Sequence, residues 1–282
     1  VYTSLGCIFK CEFCMINIVN RTDNNLALAA DSFNTFRYWE PTHMIKWFDA
    51  FAAAGVKNIK IADEMFVLKP KHCMELCNLI IERGYNFNIW AYTRVNTVKE
   101  EYLETFKKAG INWLAIGVES GSQTIREEIT KGKFQDLNIR QVIQRIRDYD
   151  ISVGANYIFG LGHDTYETMQ ETLDLAIELN TENMNCYAAM ALPGSPLYFK
   201  AREENWALPT KYSQYGFLAH DCLPSPTYTL SAAQVLKFRD EAFHKYFEGQ
   251  RFLNMIHNKF GQKAVDNIKK LTQIKLSRAI YE

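Results

Sequence analysis

Short runs rich in Ile, Val, Tyr and Trp alternate with amphipathic helical patterns along the first 190 residues. Such an alternation restricts a chain to α/β architectures, in which right-handed crossovers join parallel strands. The strands then form an open sheet or curl into a barrel, and the periodicity does not choose between the two. In both arrangements, functional side chains collect at the carboxyl ends of the strands. The predicted strands span residues 1–6, 57–62, 86–93, 111–118, 151–159 and 182–190.

The pattern changes after residue 190. Pro- and aromatic-rich turns, such as LPGSPLY and DCLPSPTYTL, lead into helical stretches at 231–249 and 251–261. We therefore expect a core domain at residues 1–200 and a mainly helical C-terminal extension at 201–282 that packs on it.

The composition favours a globular protein, and nothing in it suggests a surface that binds nucleic acid. Its 282 residues are 48% hydrophobic, and the formal net charge is 0. No apolar run approaches the ~18 residues of a membrane span. Seven cysteines are too few, and odd in number, for a disulfide framework, which favours a reducing, cytoplasmic location. The first residue is Val1 rather than methionine, so we expect further sequence upstream.

Three cysteines, Cys7, Cys11 and Cys14, follow the first predicted strand in the stretch CIFKCEFC. A structural zinc site takes four ligands, and four thiolates saturate a cubane iron–sulfur cluster. Three thiolates would instead hold a 4Fe–4S cluster with one iron open to a small molecule. The alternatives are a zinc site completed by His43 or a distant cysteine, and three unrelated core thiols. We expect the other cysteines to be buried as small hydrophobic residues: Cys73, Cys77, Cys186 and Cys222.

The spacing CxxxCxxC, with the aromatic Phe13 before the last cysteine, resembles the signature of radical S-adenosylmethionine (SAM) enzymes. The resemblance covers about residues 1–200 and implies a partial (β/α)6 TIM-like barrel, open on one side. It implies that the three cysteines hold a 4Fe–4S cluster at the mouth, with SAM beside it and Phe13 near the adenine. It also implies reductive cleavage of SAM to a 5′-deoxyadenosyl radical that abstracts a hydrogen from the substrate.

The ends of the second and third predicted strands carry candidate SAM-binding residues. Asp63 and Glu64 stand where this family offers backbone carbonyls to the SAM amino group, in a form similar to DExF. Arg94 ends the third strand, where a guanidinium can clamp a carboxylate or phosphate. An ion pair between Arg94 and Glu119 is the structural alternative.

The next two strand ends complete the predicted cofactor site. The segment GVESGS resembles the family's GxESGS, which implies that Glu119 accepts from the ribose hydroxyls. Ser120 and the Gly121 backbone would donate to the SAM carboxylate. The strand backbone near Ile158 and Phe159 would bracket the adenine. Asp164 stands near the position of a family glutamate, and its role is left open.

Several phrases, among them TSLGC, DEMF, TRVN and PGSPLY, look most like the cobalamin-dependent subgroup of radical SAM enzymes. In that subgroup an N-terminal cobalamin domain precedes the barrel, and many members are methyltransferases. The resemblance implies cobalamin held by a domain outside this chain, a small-molecule substrate and a reductant such as flavodoxin or ferredoxin. Two alternatives are a radical SAM reaction without cobalamin, such as methylthiolation or rearrangement, and a non-catalytic binding module stapled by a metal.

Overall fold

Five parallel strands form a single sheet in the order of the sequence. The computed structural model describes residues 1–19, 28–32, 36–129 and 138–281. A doubly wound open sheet reverses its strand order, whereas this sheet runs β3-β4-β5-β6-β7 without reversal and curls into a half-barrel. Its strands are β3 (Asn58–Lys60), β4 (Asn88–Arg94), β5 (Ile111–Glu119), β6 (Ser152–Phe159) and β7 (Asn183–Ala188).

The first predicted strand lies beside β3 but makes only a short contact with it. The Val1 amino group donates to the Lys60 carbonyl, and the Ala62 N–H donates to the Val1 carbonyl, both at 2.8 Å. This is the bonding pattern of a parallel pair. The chain then forms β1 (Ser4–Leu5), which pairs antiparallel with β2 (Arg37–Tyr38). The predicted partial barrel is therefore confirmed, with five full strands and this short sixth contact.

Helices follow the strands where the capping residues predict them. Pro41 and Pro70 occupy the first turns of two helices, where a missing N–H costs nothing. Thr165 and Thr168 form a capping box at the start of another. The helices up to residue 203 are α1 (Ile16–Val19), α2 (Pro41–Ala53), α3 (Pro70–Glu82), α4 (Glu100–Lys108), α5 (Gln123–Ile129), α6 (Ile139–Asp148), α7 (Tyr166–Leu179) and α8 (Pro196–Glu203).

The C-terminal helices pack against the last two strands. They are α9 (Ala232–Phe247), α10 (Gln250–Phe260) and α11 (Gln262–Thr272). The Phe238 ring of α9 lies 5.2 Å from the Phe159 ring of β6, and Arg239 Nε donates to the Cys186 carbonyl of β7 at 2.8 Å. A division of the chain at residue 200 stays a prediction.

Two further sequence predictions concern burial and membrane spans. The four cysteines outside the CIFKCEFC stretch are all buried, as predicted: Cys73, Cys77, Cys186 and Cys222. Among the helices of the described ranges, none combines the length and the apolar character that crossing a bilayer requires.

Candidate active site

The cysteine loop, residues 7–14, lies at the carboxyl end of the half-barrel. Within the loop, the Phe9 N–H donates to Cys7 Sγ at 3.4 Å, and the Cys14 N–H donates to the Cys11 carbonyl at 3.1 Å. Glu12 anchors the loop on both sides: its N–H donates to the Ile129 carbonyl at the end of α5, at 3.2 Å. Its carbonyl accepts from the Leu197 N–H in α8 at 2.9 Å. These bonds fix the loop between the end of α5 and the first turn of α8.

Asp63 and Glu64 hold the run of chain that leads into Cys7. The buried Asp63 carboxylate accepts from the Thr3 N–H at 2.6 Å, the Thr3 hydroxyl at 2.5 Å and the Ser4 hydroxyl at 2.8 Å. Glu64 Oε2 accepts from the Gly6 N–H at 3.0 Å. Both side chains therefore bond to the residues just before the cysteine loop. The predicted contact of their backbone with SAM stays a prediction.

Arg94, at the end of β4, lies against the cysteine loop. Its side chain is buried, and the guanidinium carbon lies 4.1 Å from the centroid of the Phe9 ring. Burial raises the pKa of the Cys7 and Cys11 thiols, that of Cys11 to about 12, and the positive charge of Arg94 opposes this rise in both. Burial also raises the pKa of Cys14, to about 11. Arg94 is thus placed to favour thiolates, the form of cysteine that binds metal.

Glu119 ends β5 in the left-handed backbone conformation, with φ of 68°. Burial raises the pKa of its carboxyl to about 7, and the nearby charge of Arg94 opposes the rise. The carboxylate lies against Gly117, where a Cβ atom would come within 2.3 Å of Glu119 Oε1. A non-glycine residue held at positive φ is uncommon and tends to mark a functional site.

Ser120 and Gly121 tie the turn after β5 to α7. The hydroxyl of Thr172 accepts from the Gly121 N–H at 2.9 Å and shares a hydrogen bond with Ser120 Oγ at 3.0 Å. A Cβ atom on Gly121 would lie 2.3 Å from the Glu171 carbonyl oxygen, so only glycine permits this close approach. The structure thus gives both residues a packing role, and their predicted contact with the SAM carboxylate stays a prediction.

A cavity of about 380 Å³ adjoins the cysteine loop. Three predicted SAM-binding residues line it: Phe13 from the loop, Glu119 from β5 and Ile158 from β6. Phe159 points to the other face of the strand, because successive side chains alternate, and packs on Phe238 of α9. The Ile158 side chain therefore lines the cavity and the Phe159 side chain packs in the core. The predicted contact of the strand backbone with the adenine stays a prediction.

Seven residues of the cavity lining were not predicted from the sequence: Asn156, Tyr187, Ala188, Ala189, Met190, Leu192 and Phe217. Asn156 had a detectable signal, since it is a polar residue two positions before Ile158 and so shares its face of β6. Tyr187 lies in the last strand and gave no comparable signal. Phe217 lies in an irregular segment about 60 residues after Ile158, and no local pattern marks it.

Asp164, whose role the sequence left open, organises the turn after β6. Its Oδ2 accepts from the Gly160 and Leu161 N–H groups at 3.0 and 2.9 Å, and its Oδ1 accepts from the Thr168 hydroxyl at 2.6 Å. Burial raises its pKa to about 6, and these hydrogen bonds oppose the rise. Asp164 therefore holds the turn between β6 and α7 in place.

The donor set of the loop fits an iron–sulfur cluster. Across residues 1–19, 28–32, 36–129 and 138–281, no three His, Cys, Asp or Glu side chains are grouped as ligands of a single metal ion. In an iron–sulfur cluster each thiolate binds a different iron, so the three sulfur atoms need not surround a single metal ion. Cys7, Cys11 and Cys14 supply three thiols beside a cation and a cavity, which suits a cluster with one open iron.

Comparison with known proteins gives a family match over most of the chain. The model of the radical SAM superfamily matches residues 1–176. An uncharacterized methyltransferase of Pyrococcus horikoshii is 24% identical over 219 residues, which cover 76% of this chain and 44% of the relative. The anaerobic magnesium-protoporphyrin IX monomethyl ester cyclase of Cereibacter sphaeroides is 27% identical over 218 residues, covering 76% of this chain and 33% of the relative.

A solved structure shares the fold. The radical SAM methyltransferase TsrM of Kitasatospora setae, determined with cobalamin and a [4Fe-4S] cluster bound, superposes with a TM-score of 0.61 at 19% identity. The match covers 72% of this chain and 36% of TsrM. This chain spans between a third and a half of the length of the two curated relatives named above.

Proposed function

The chain belongs to the radical SAM superfamily, and we propose that it binds a 4Fe–4S cluster through Cys7, Cys11 and Cys14 and cleaves SAM reductively in the adjoining cavity. One observation carries the proposal. Phe13, Glu119 and Ile158, which come from three separate segments, meet in one cavity of about 380 Å³ beside the cysteine loop. Three thiols would leave one iron of such a cluster without a protein ligand, and SAM could bind at that position.

The cluster would supply the electron that breaks the sulfonium C–S bond of SAM. The protein residues would bind and orient SAM and shield the reaction from solvent. Arg94 stabilises the thiolates through its charge, and Phe13 and Ile158 provide apolar walls for the adenine. Glu119 accepts hydrogen bonds from the ribose hydroxyls when it is ionised. The mostly apolar lining would limit the access of water, which would protect a reactive radical from side reactions.

We further propose that the reaction is a cobalamin-dependent methyl transfer to a small molecule. The support comes from the relatives, since one curated relative is named a methyltransferase and the structural neighbour TsrM is a methyltransferase that binds cobalamin. The cobalamin would be held by a domain outside this chain, and the electron would come from a flavodoxin or ferredoxin in the cytoplasm. A reaction without cobalamin, such as methylthiolation or rearrangement, is the alternative outcome.

The first experiment counts iron and follows SAM. The chain is purified without oxygen and reconstituted with iron and sulfide, and both are measured per chain. SAM and dithionite are then added, and 5′-deoxyadenosine is quantified. We expect about four irons per chain and cleavage of SAM.

Matched cysteine variants make the test specific. Cys11→Ser is expected to lose the cluster and SAM cleavage, because it removes a ligand of the loop. Cys73→Ser changes a buried cysteine of α3, outside the motif, and should keep both. One zinc per chain with no SAM cleavage would overturn the proposal and favour a metal-stapled binding module.

A further inference from the structure

One wall of the candidate cavity comes from the C-terminal extension, outside the residues that match the family model. Phe217 lines the cavity together with Tyr187 of β7. The two ring centroids lie 4.9 Å apart, with an angle of 53° between the ring planes. This tilted contact lies within the range of favourable aromatic pairs. The extension therefore adds an aromatic side chain directly to the cavity that the barrel forms.

The segment that carries Phe217 is fixed to the rim of the cavity. The Ser225 N–H donates to the carbonyl of Ala189, a cavity residue, at 2.8 Å. The Leu223 N–H donates to the Gln214 carbonyl at 3.0 Å, which closes the segment into a loop around Phe217. These backbone bonds hold the segment beside the rim of the cavity, where the Phe217 ring contacts Tyr187.

Arg278, near the end of the chain, also bonds to the segment that carries Phe217. Its buried guanidinium donates to the Ala219 carbonyl at 2.8 Å, and to both carboxylate oxygens of Asp240 in α9 at 2.9 Å. A bidentate pair of this kind fixes geometry as well as charge. Phe217 is therefore held between the rim of the cavity and the C-terminal helices.

The chemistry of the cavity suits a flat heteroaromatic ring. Phe13, Tyr187 and Phe217 provide three aromatic rings, and Met190 adds a polarizable thioether. The polar side-chain groups of the lining are the Glu119 carboxyl, the Asn156 amide and the Tyr187 hydroxyl. Cavities with apolar walls and a few placed polar groups are typical of small-molecule sites.

We propose that Phe217 is a binding residue for the adenine ring of SAM, so that the C-terminal extension completes the cofactor cavity. The proposal rests on the proposed function, because it takes SAM as the occupant. It adds a contact from a part of the chain that follows the barrel.

The test measures SAM affinity in the reconstituted, unreduced protein by equilibrium dialysis. Phe217→Ala is expected to raise the Kd of SAM about tenfold, which is the size of one lost base–aromatic contact. Phe217→Leu keeps an apolar wall and is expected to raise it only about threefold. Tyr212→Ala, which changes a 96% exposed aromatic of the same segment, should leave the Kd unchanged.

Binding of a second ligand distinguishes the loss of a contact with adenine from a general loss of structure. 5′-Deoxyadenosine carries the adenine ring but no methionyl group, so Phe217→Ala should weaken its binding by the same factor. Iron content and melting temperature are measured for each variant. If Phe217→Ala does not fold, Phe217→Leu decides the outcome alone.

Either of two results would overturn the proposal. One is a folded Phe217 variant with full iron content whose Kd for SAM equals that of the wild type. The other is a wild-type chain that holds its cluster but binds no SAM. The second result appears before any variant is made and overturns the proposed function as well, so the two failures are distinguishable.

Discussion

Burial of the Glu119 carboxyl group makes its contribution to the free energy of unfolding depend on pH. Its pKa is about 7 in the folded chain because burial disfavours the ionised form, against an ordinary value of 4.5. Between these values the folded chain binds more protons than the unfolded chain. The contribution of Glu119 to the free energy of unfolding therefore falls as pH rises from about 4.5 to 7 and is constant above that range.

Glu119→Gln is expected to remove this pH dependence, because glutamine does not ionise. The free energy of unfolding of the variant minus that of the wild type should increase by on the order of 3 kcal/mol as pH rises from about 4.5 to 7. Urea unfolding of the ligand-free protein across this range measures the difference. The matched control is Glu75→Gln, at an exposed glutamate of α3. Parallel curves for the wild type and Glu119→Gln would contradict the prediction.

Gly117 provides the space in which the Glu119 carboxylate lies. Gly117→Ala would bring a Cβ atom to 2.3 Å from Glu119 Oε1 and displace the carboxylate. We expect SAM affinity to fall at least about tenfold, since a hydrogen bond to a charged group is lost. The double variant with Glu119→Ala should bind SAM no more weakly than Glu119→Ala alone. Additive losses would show that Gly117 acts independently of Glu119.

At the scale of elements, the contact between the first run of chain and the turn after β3 positions the cysteine loop. Asp63 accepts three hydrogen bonds from Thr3 and Ser4, whereas Glu64 accepts one from Gly6. Asp63→Asn replaces one acceptor oxygen with a donor and should lower the free energy of unfolding by about 2 kcal/mol. Glu64→Gln keeps its acceptor oxygen and should cost less than about 0.5 kcal/mol.

The same pair of variants tests whether this contact affects cluster binding. We expect Asp63→Asn to hold less iron after reconstitution than Glu64→Gln, because the residues it releases lead directly into Cys7. Chemical unfolding and iron content are measured on both. Equal iron content despite a clear loss of stability would show that the loop keeps its shape without Asp63.

At the scale of the whole molecule, the C-terminal helices cover the last two strands. Phe238 packs on Phe159, Arg239 donates to the Cys186 carbonyl, and the Tyr246 hydroxyl donates to the Thr181 carbonyl at 2.6 Å. A chain ending at residue 204 would lose all three contacts. The apolar surface it exposes would then favour aggregation or a loosely packed state.

We therefore expect residues 1–204 alone to show no cooperative unfolding transition, while the full chain shows one. Thermal unfolding followed by near-ultraviolet circular dichroism compares the two. A fragment with a sharp transition of its own would instead support an independent domain at residues 1–200.

The sequence by itself determined the features that depend on near neighbours. The strand–helix alternation, the proline and threonine caps, and the cysteines of CIFKCEFC all lie within short windows of chain, where backbone propensity and spacing act. These features sufficed to predict the α/β class and the strand ends that carry Glu119 and Ile158, whereas the partial barrel was implied only by the family resemblance of the motifs.

Only the tertiary structure decided which side chains meet. Asp63 bonds to Thr3 and Ser4, Gly121 bonds to Thr172, and Phe217 faces a cavity built by strands 30 to 100 residues earlier. Strand order, which distinguishes the half-barrel from an open sheet, is likewise a relation between distant segments. Such contacts depend on how the whole chain packs, and no local pattern of residues encodes them.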